Sequence, residues 1–204
     1  MRQYIRIIGG QHRGKKLNFP DALDLRPTTD RVRETLFNWL MHDIRDAHCL
    51  DAFAGSGALG FEAYSRGSSK VLLLELDPKT YNHLKKWTTY FNTDAIQVMH
   101  KHACKYLLET KEQFDIIFLD PPFRQPDLLE CMQTLDQRPV LKDGGWLYLE
   151  TPHEIDVSKT GFEKIKQKRY GQVLATLYKK RLLTSDGSTV SINKVLTYGS
   201  TFHL

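Results

Sequence analysis

Cys49-Leu50-Asp51-Ala52-Phe53-Ala54-Gly55-Ser56-Gly57-Ala58-Leu59-Gly60 is the stretch whose reading decides the fold. Its first five residues make a short run, apolar except for Asp51, as expected of a strand covered on both faces. Ala54-Gly55-Ser56-Gly57 ends that run with glycines that permit positive φ and close approach to the backbone. A helix from about Ala58 to Arg66 follows, with Gly67 as its stop. Gly55, Gly57 and Gly60 together satisfy G-x-G-x-x-G, the turn of a nucleoside-binding β-α unit.

Working outward toward the C-terminus, the alternation continues. Val71 to Leu76 reads as a second strand, Pro78 opens a helix through about Phe91, and Ile96 to Met99 reads as a third strand. A short helix over 102–110 precedes Phe114 to Leu119, the most apolar run and the expected central strand, which Pro121-Pro122 ends because proline cannot donate to the ladder. A helix from about Asp127 to Leu135, a turn at Asp143-Gly144-Gly145 and a fifth strand from Trp146 to Glu150 complete the repeat. The pattern predicts an α/β, doubly wound, mostly parallel sheet with helices on both faces. Two β-leaning runs, Phe162 to Lys168 and Val173 to Tyr178, flank Tyr170-Gly171 and predict an antiparallel hairpin closing one edge. Working outward the other way, Val32, Leu36, Leu40 and Ile44 define one helix face, with Thr29 or Asp30 as N-cap. Residues 1–28 are expected to form a short β-rich extension turning at Gly9-Gly10 and Gly14. Residues 29–181 form the cofactor-binding domain, and 182–204 a tail or added edge strand.

The chain has 204 residues, enough for one full-sized domain, and 41% hydrophobic with 26% charged residues excludes fibrous and disordered classes. No apolar run approaches the roughly 20 residues that span a bilayer, and the N-terminus lacks the apolar core of a signal peptide, so a cytoplasmic protein without membrane contact is expected. Cys49, Cys104 and Cys131 show no C-x-x-C spacing, so neither a disulfide framework nor a metal is expected. Charge is segregated: residues 1–37 carry +4, 38–150 carry −4 and 151–204 carry +5. Arg2, Arg6, Arg13, Lys15 and Lys16 precede the first carboxylate, Asp21, and Lys164, Lys166, Lys168 and Arg169 recur beside Phe162 and Tyr170. Such surfaces attract a polyanion, or serve only as a solvated face.

Glu75 lies about 20 residues past Gly55 at the end of the next strand, where a carboxylate can accept both ribose hydroxyls. No Gly-Lys-Ser/Thr follows the glycines, which argues against a nucleoside triphosphate. Asp51, just before the turn, suits the ammonium group of a methionine moiety and would repel a dinucleotide pyrophosphate, so S-adenosyl-L-methionine is the expected cofactor. Asp120-Pro121-Pro122-Phe123 should face the same cleft. An amino group conjugated to a ring is a poor nucleophile. The Asp120 carboxylate and the Pro121 carbonyl can accept its two N–H bonds while Phe123 stacks on the base, and the prolines stiffen the loop. These four residues are the candidate catalytic set. Asp51, Phe53, Gly55, Gly57, Glu75, Leu76, His102 and Ala103 are the candidate cofactor-binding set.

In these motifs, together with Arg6-Ile7-Ile8-Gly9-Gly10, Arg13-Gly14 and the run from Leu25 to Asn38, the chain resembles the RsmD-type 16S ribosomal RNA guanine-N2 methyltransferases of the class I S-adenosylmethionine-dependent superfamily. The resemblance spans roughly residues 5 to 180 and implies an enzyme that methylates the exocyclic N2 of one guanine in 16S rRNA, within the small ribosomal subunit or its assembly intermediate. It implies RNA contacts at Arg6, Arg13, Lys15, Arg26 and Arg31, and a monomer is expected. Arg26, Arg31 and Arg33 also have a purely structural reading, as charges on the solvent side of a helix and its lead-in. Where related chains place Asp or Asn against the adenine amino group, this one has His102-Ala103. The same conjugated-amine chemistry leaves an adenine-N6 or protein glutamine-N5 methyltransferase open, and a non-catalytic ribosome-assembly factor on the same fold remains an alternative from another class.

Overall fold

The computed structural model describes residues 3–19, 29–121, 127–183 and 189–190. In chain order the elements are β1 (Gln3–Arg6), β2 (Lys16–Phe19), α1 (Asp30–Trp39), β3 (His48–Asp51), α2 (Ala58–Ser65), β4 (Lys70–Glu75), α3 (Pro78–Phe91) and β5 (Ile96–His100). They continue with α4 (Ala103–Glu109), β6 (Phe114–Leu119), α5 (Asp127–Gln137), β7 (Leu141–Thr151), β8 (Phe162–Tyr170), β9 (Val173–Lys180), β10 (Leu182–Leu183) and β11 (Thr189–Val190).

The main sheet has the order β5-β4-β3-β6-β7-β9-β8. β5, β4, β3, β6 and β7 are parallel, while β9 runs antiparallel to both β7 and β8. The expected doubly wound sheet and its C-terminal hairpin are both present. Strand periodicity sorts the core into two layers. Cys49, Val71, Leu73, Ile116 and Phe118 face the layer packed by α1, α2 and α3. Leu50, Leu72, Leu74, Ile117 and Leu119 face the layer packed by α4 and α5. Among the described residues no helix is long and apolar enough to cross a membrane.

Three sequence expectations need correction. Ile44 is buried but lies beyond α1, which ends at Trp39 with Leu40 as its C-cap. Asp143-Gly144-Gly145 is not the lead-in to a strand beginning at Trp146. β7 starts at Leu141, and these residues form an irregular stretch inside it, where the register jumps from Phe114↔Leu141 to Ile116↔Trp146. Gly144 has φ +71°, which absorbs the jump.

The third correction concerns Arg33, which is not on the solvent side of its helix. Its side chain is 1% exposed, with Nη2 donating to the Arg6 carbonyl (2.8 Å) and to Asp30 (2.6 Å), and Nη1 lying 3.6 Å from the fully buried Glu62. Glu62 also accepts the Ile8 N–H (2.8 Å) and the Arg66 Nε–H (2.7 Å). One buried carboxylate thus ties α2, α1 and the loop after β1 together.

That loop is the turn of the β-rich N-terminal extension. β1 and β2 form an antiparallel hairpin whose Ile5, Ile7, Leu17 and Phe19 enter the core layer of α1 to α3. Its turn docks on the end of α2: the Gln11 N–H donates to the Ser65 carbonyl, and the Ser65 hydroxyl donates to the Gly9 carbonyl. Gly10 has φ +74°, and a Cβ there would lie 1.7 Å from the Ser65 carbonyl oxygen, so a side chain would undock the turn. β10 and β11 form a separate two-stranded ladder.

Removing Glu62 leaves the Arg33 guanidinium buried without its interior counter-charge, a change that typically costs about 3–5 kcal/mol. Glu62→Ala is therefore expected to lower the urea unfolding free energy by about that amount and to expose the β1–β2 hairpin to limited proteolysis. A loss below about 1 kcal/mol would show that this network does not hold the hairpin.

Candidate functional site

The residues expected to form the site stand at the carboxyl ends of β3, β4 and β6. Asp51 at the end of β3 stands opposite Phe118 in the β3–β6 register, and the Ala52 N–H donates to the Phe118 carbonyl (3.1 Å), so Asp120 follows two residues later on the adjacent strand. The glycine turn and the start of the Asp120 loop therefore meet at one sheet end. Glu75 closes β4, the neighbour on the other side.

The turn is held by carboxylates. Asp51, 2% exposed, accepts the Gly60 N–H through Oδ2 at 2.9 Å, capping the first turn of α2. Glu75 accepts the Gly55 N–H through Oε2 and the Asp77 N–H through Oε1, both at 2.8 Å. Gly55 and Gly57 have φ +49° and +77°, and a Cβ on Gly57 would lie 2.4 Å from the Phe61 ring. Glycine is thus required at Gly57 on two separate grounds. Burial, helped by the neighbouring Asp120 and Glu75 charges and opposed by the Gly60 and Phe53 amides, pushes the Asp51 carboxyl up to about 7.

The electrostatic influence of Asp120 on Asp51 extends to Tyr148, whose hydroxyl is raised well above its ordinary value by burial and by the Glu150 and Asp120 charges. Tyr148 donates to Glu150 Oε1 at 2.9 Å, and both residues are buried. The sequence reading missed this pair. Its only signal was the alternation Trp146, Tyr148, Glu150 along β7, which acquires meaning once the register with β6 is known.

The expected site residues sort unevenly. Asp51, Gly55, Gly57, Glu75 and Asp120 converge. Phe53 is half-buried beside the turn, Leu76 is exposed immediately after β4, and Pro121 is buried. Pro122 and Phe123 lie outside the described residues. Ala103 is buried at the first position of α4, with His102 as N-cap. The His102 ring does not stand clear: its Nε2 lies 3.2 Å from Asp127 Oδ2, bridging α4 to α5. His102, Cys104 and Asp127 present ligand atoms within 4.8 Å of one another. Yet the Cys104 thiol donates to the Asp127 carbonyl and is pushed up by burial, so the trio reads as a hydrogen-bonded joint between helices. His100 instead contacts the Leu76 carbonyl through Nε2 (2.8 Å) and stacks on Tyr81.

The described basic positions stand on the N-terminal hairpin and the start of α1, each with its own contact. Arg6 pairs with Asp30 at 3.1 Å, Lys15 sits 3.9 Å over the Tyr90 ring, Arg13 is exposed, and Arg31 lies 5.9 Å over the Tyr170 ring; Arg26 lies outside the described residues.

Comparison with known proteins agrees with this architecture. The family described as conserved hypothetical protein 95 matches residues 5–179. Ribosomal RNA small subunit methyltransferase D of Escherichia coli K12 is 43% identical over 178 residues, covering 86% of this chain and 90% of that protein. The protein of the same name from Haemophilus influenzae is 41% identical, covering 85% and 93%. Among solved structures, the methyltransferase yhhF of Escherichia coli superposes with a TM-score of 0.81 at 42% identity, covering 87% of this chain and 98% of the other. With its class I methyltransferase sheet, its glycine turn and a family match over nearly the whole described core, the chain belongs to the conserved hypothetical protein 95 family, the RsmD family of methyltransferases.

Proposed function

We propose that this protein methylates the exocyclic N2 amino group of a specific guanine in 16S rRNA, using S-adenosyl-L-methionine and acting on the small ribosomal subunit or its assembly intermediate. The observation that carries the reading is the convergence of Asp51, Glu75 and Asp120 at adjacent carboxyl ends of the parallel strands, around a turn that only glycine can make. The names of the curated relatives support ribosomal RNA as the substrate class.

The donor set fits the cofactor. S-adenosyl-L-methionine supplies an electrophilic sulfonium methyl group. Each Glu75 oxygen accepts one backbone N–H and retains a second lone pair, so the carboxylate can brace the turn and accept the ribose hydroxyls together. Asp51, though bonded to the Gly60 and Phe53 amides, retains lone pairs for the ammonium group, whose positive charge would draw the raised carboxyl back into its ionised form. Phe53 and the backbone of Gly55 and Gly57 line the turn. Exposed Leu76 offers an apolar surface to the adenine. With His102 engaged by Asp127, the first-turn N–H of Ala103 is the donor at that edge.

On the substrate side, Asp120 and the Pro121 carbonyl accept the two N–H bonds of the guanine amino group and aim its lone pair at the methyl carbon, with Pro122 and Phe123 completing the loop. As the N–C bond forms and the S–C bond breaks, the extra proton on nitrogen passes to Asp120 or to water. Arg6, Arg13, Lys15, Arg26 and Arg31 contact RNA phosphates in this reading, and the exposure of Arg13 supports it.

Three outcomes are expected. Incubation with labelled S-adenosylmethionine and small subunits from a strain lacking the enzyme labels a single guanine; label appearing only in DNA, adenine or a release factor overturns the assignment. Asp120→Ala lowers kcat at least about 10²-fold with cofactor affinity nearly intact in calorimetry, and an unchanged rate removes Asp120 from the mechanism. The third concerns pH. A carboxyl whose folded pKa is about 7 binds more protons folded than unfolded, so its contribution to stability is present at acid pH and is lost as pH rises toward 7. Asp51→Asn, which can still accept the Gly60 N–H, therefore stabilises the ligand-free protein by roughly 2–4 kcal/mol at pH 8, by about 1–2 kcal/mol at pH 5 and by little below pH 4, and weakens cofactor binding. A variant that is less stable than the parent at pH 8 contradicts this account of Asp51.

A further inference from the structure

β8 lies at the sheet edge and, being antiparallel to β9, runs in the same direction as the parallel strands. Its last residue, Tyr170, therefore reaches the same sheet end as Asp51 and Asp120, and Tyr170 is one of the groups that raise the buried Tyr148 hydroxyl next to Asp120. Across the β8–β9 ladder Lys166 stands opposite Leu177 and Lys168 opposite Ala175, and both partners belong to the core layer of α1 to α3. Cross-strand partners point to one face, so Lys166 and Lys168 stand on the α1 side of the sheet, beyond the helix, and both are exposed. Successive cations on that face are about 6.7 Å apart along the strand.

At the rim, Tyr170 gathers two cations. Its hydroxyl is hydrogen-bonded to Thr35 of α1, Lys168 Nζ lies 5.4 Å from its ring centroid and the Arg31 guanidinium 5.9 Å. Among the described residues none of Arg31, Lys166 and Lys168 has a carboxylate within salt-bridge distance, unlike Arg6, Arg33, Arg66 and Lys142. Glu163, opposite Lys179, is an acidic neighbour farther down the strand. Cations held by an aromatic ring instead of a carboxylate keep their charge available to an incoming anion.

We propose that this face of β8, from Lys166 through Lys168 to the Tyr170–Arg31 rim, is a track for RNA phosphates flanking the nucleotide in the cleft. The proposal rests on the reading of the protein as an RNA methyltransferase and adds a second contact surface, separate from the N-terminal hairpin. RNA is favoured over an acidic protein because the cations line a strand that ends at the cleft, where a continuous chain must enter.

The test compares the parent with Lys166→Gln/Lys168→Gln and with Lys105→Gln/Lys111→Gln, a charge-matched control on the α4 side. Binding to 16S rRNA transcribed in vitro is measured from 50 to 200 mM salt, and methyl transfer to small subunits is measured in parallel. The β8 variant is expected to flatten the log–log salt slope by about 1.4–1.8 and to raise KM about fivefold or more with kcat unchanged, while the control matches the parent. An unchanged slope overturns the track whatever the turnover, including when KM on assembled subunits rises, because the face then meets a ribosomal protein. A flattened slope in a protein that methylates no RNA sustains the track and overturns the methyl-transfer reading instead.

Discussion

Two carboxylates at strand ends hold backbone amides, and the glycine turn at that end of the sheet depends on them. Asp51 captures the Gly60 N–H and Glu75 captures those of Gly55 and Asp77, so the turn between β3 and α2 is suspended between two fixed acceptors. The turn cannot relax toward an ordinary conformation because its glycines carry positive φ and Gly57 packs against Phe61. The same bonds put three acidic groups close together at the end of a closely packed sheet. Burial and mutual repulsion push the Asp51 carboxyl up to about 7, a local cost that the rest of the fold sustains. A buried carboxylate flanked by two others and by no cation is a destabilising group once it ionises.

The apolar core offsets that cost, and the N-terminal hairpin adds to it. Its apolar residues extend the core layer of α1 to α3, and its turn docks on the end of α2, the helix whose beginning carries the glycine turn. Glu62 connects the two ends of this arrangement by bonding Arg66 on its own helix, Arg33 on α1 and the backbone of Ile8. The run from Arg6 to Gly10 and the run around Arg33 thus look distinctive for a structural reason: they meet at one buried carboxylate. Arg31, two residues before Arg33, is exposed and turned toward Tyr170 at the rim, so neighbouring arginines on one helix divide between holding the fold and presenting charge.

Much of this was legible in the residue order. Apolar runs of five or six residues separated by helical segments dictated the parallel sheet; glycine spacing located the turn; and Glu75 and Asp120, each ending a strand, were placed correctly because a strand's end is marked by what cannot continue it, here Asp-Pro on both sides. What failed, failed for physical reasons. A Gly-Gly pair signals a break in regular pairing, and local sequence does not distinguish a loop from an irregularity absorbed within β7. An arginine signals solvent unless a counter-charge waits for it, and the Glu62 counter-charge lies on another helix.

The sequence by itself determined the alternation of elements, the identity of the turn and the carboxylates that bracket it, because strand periodicity, positive φ and proline's missing N–H act over a few residues. Only the tertiary structure decided which carboxylate braces which amide, that Arg33 is interior, that His102 is engaged by Asp127, and that Tyr148 bonds Glu150 within the electrostatic reach of Asp120 and Tyr170. Those outcomes depend on register and strand order, which bring residues a hundred positions apart into contact and which no short window of sequence contains.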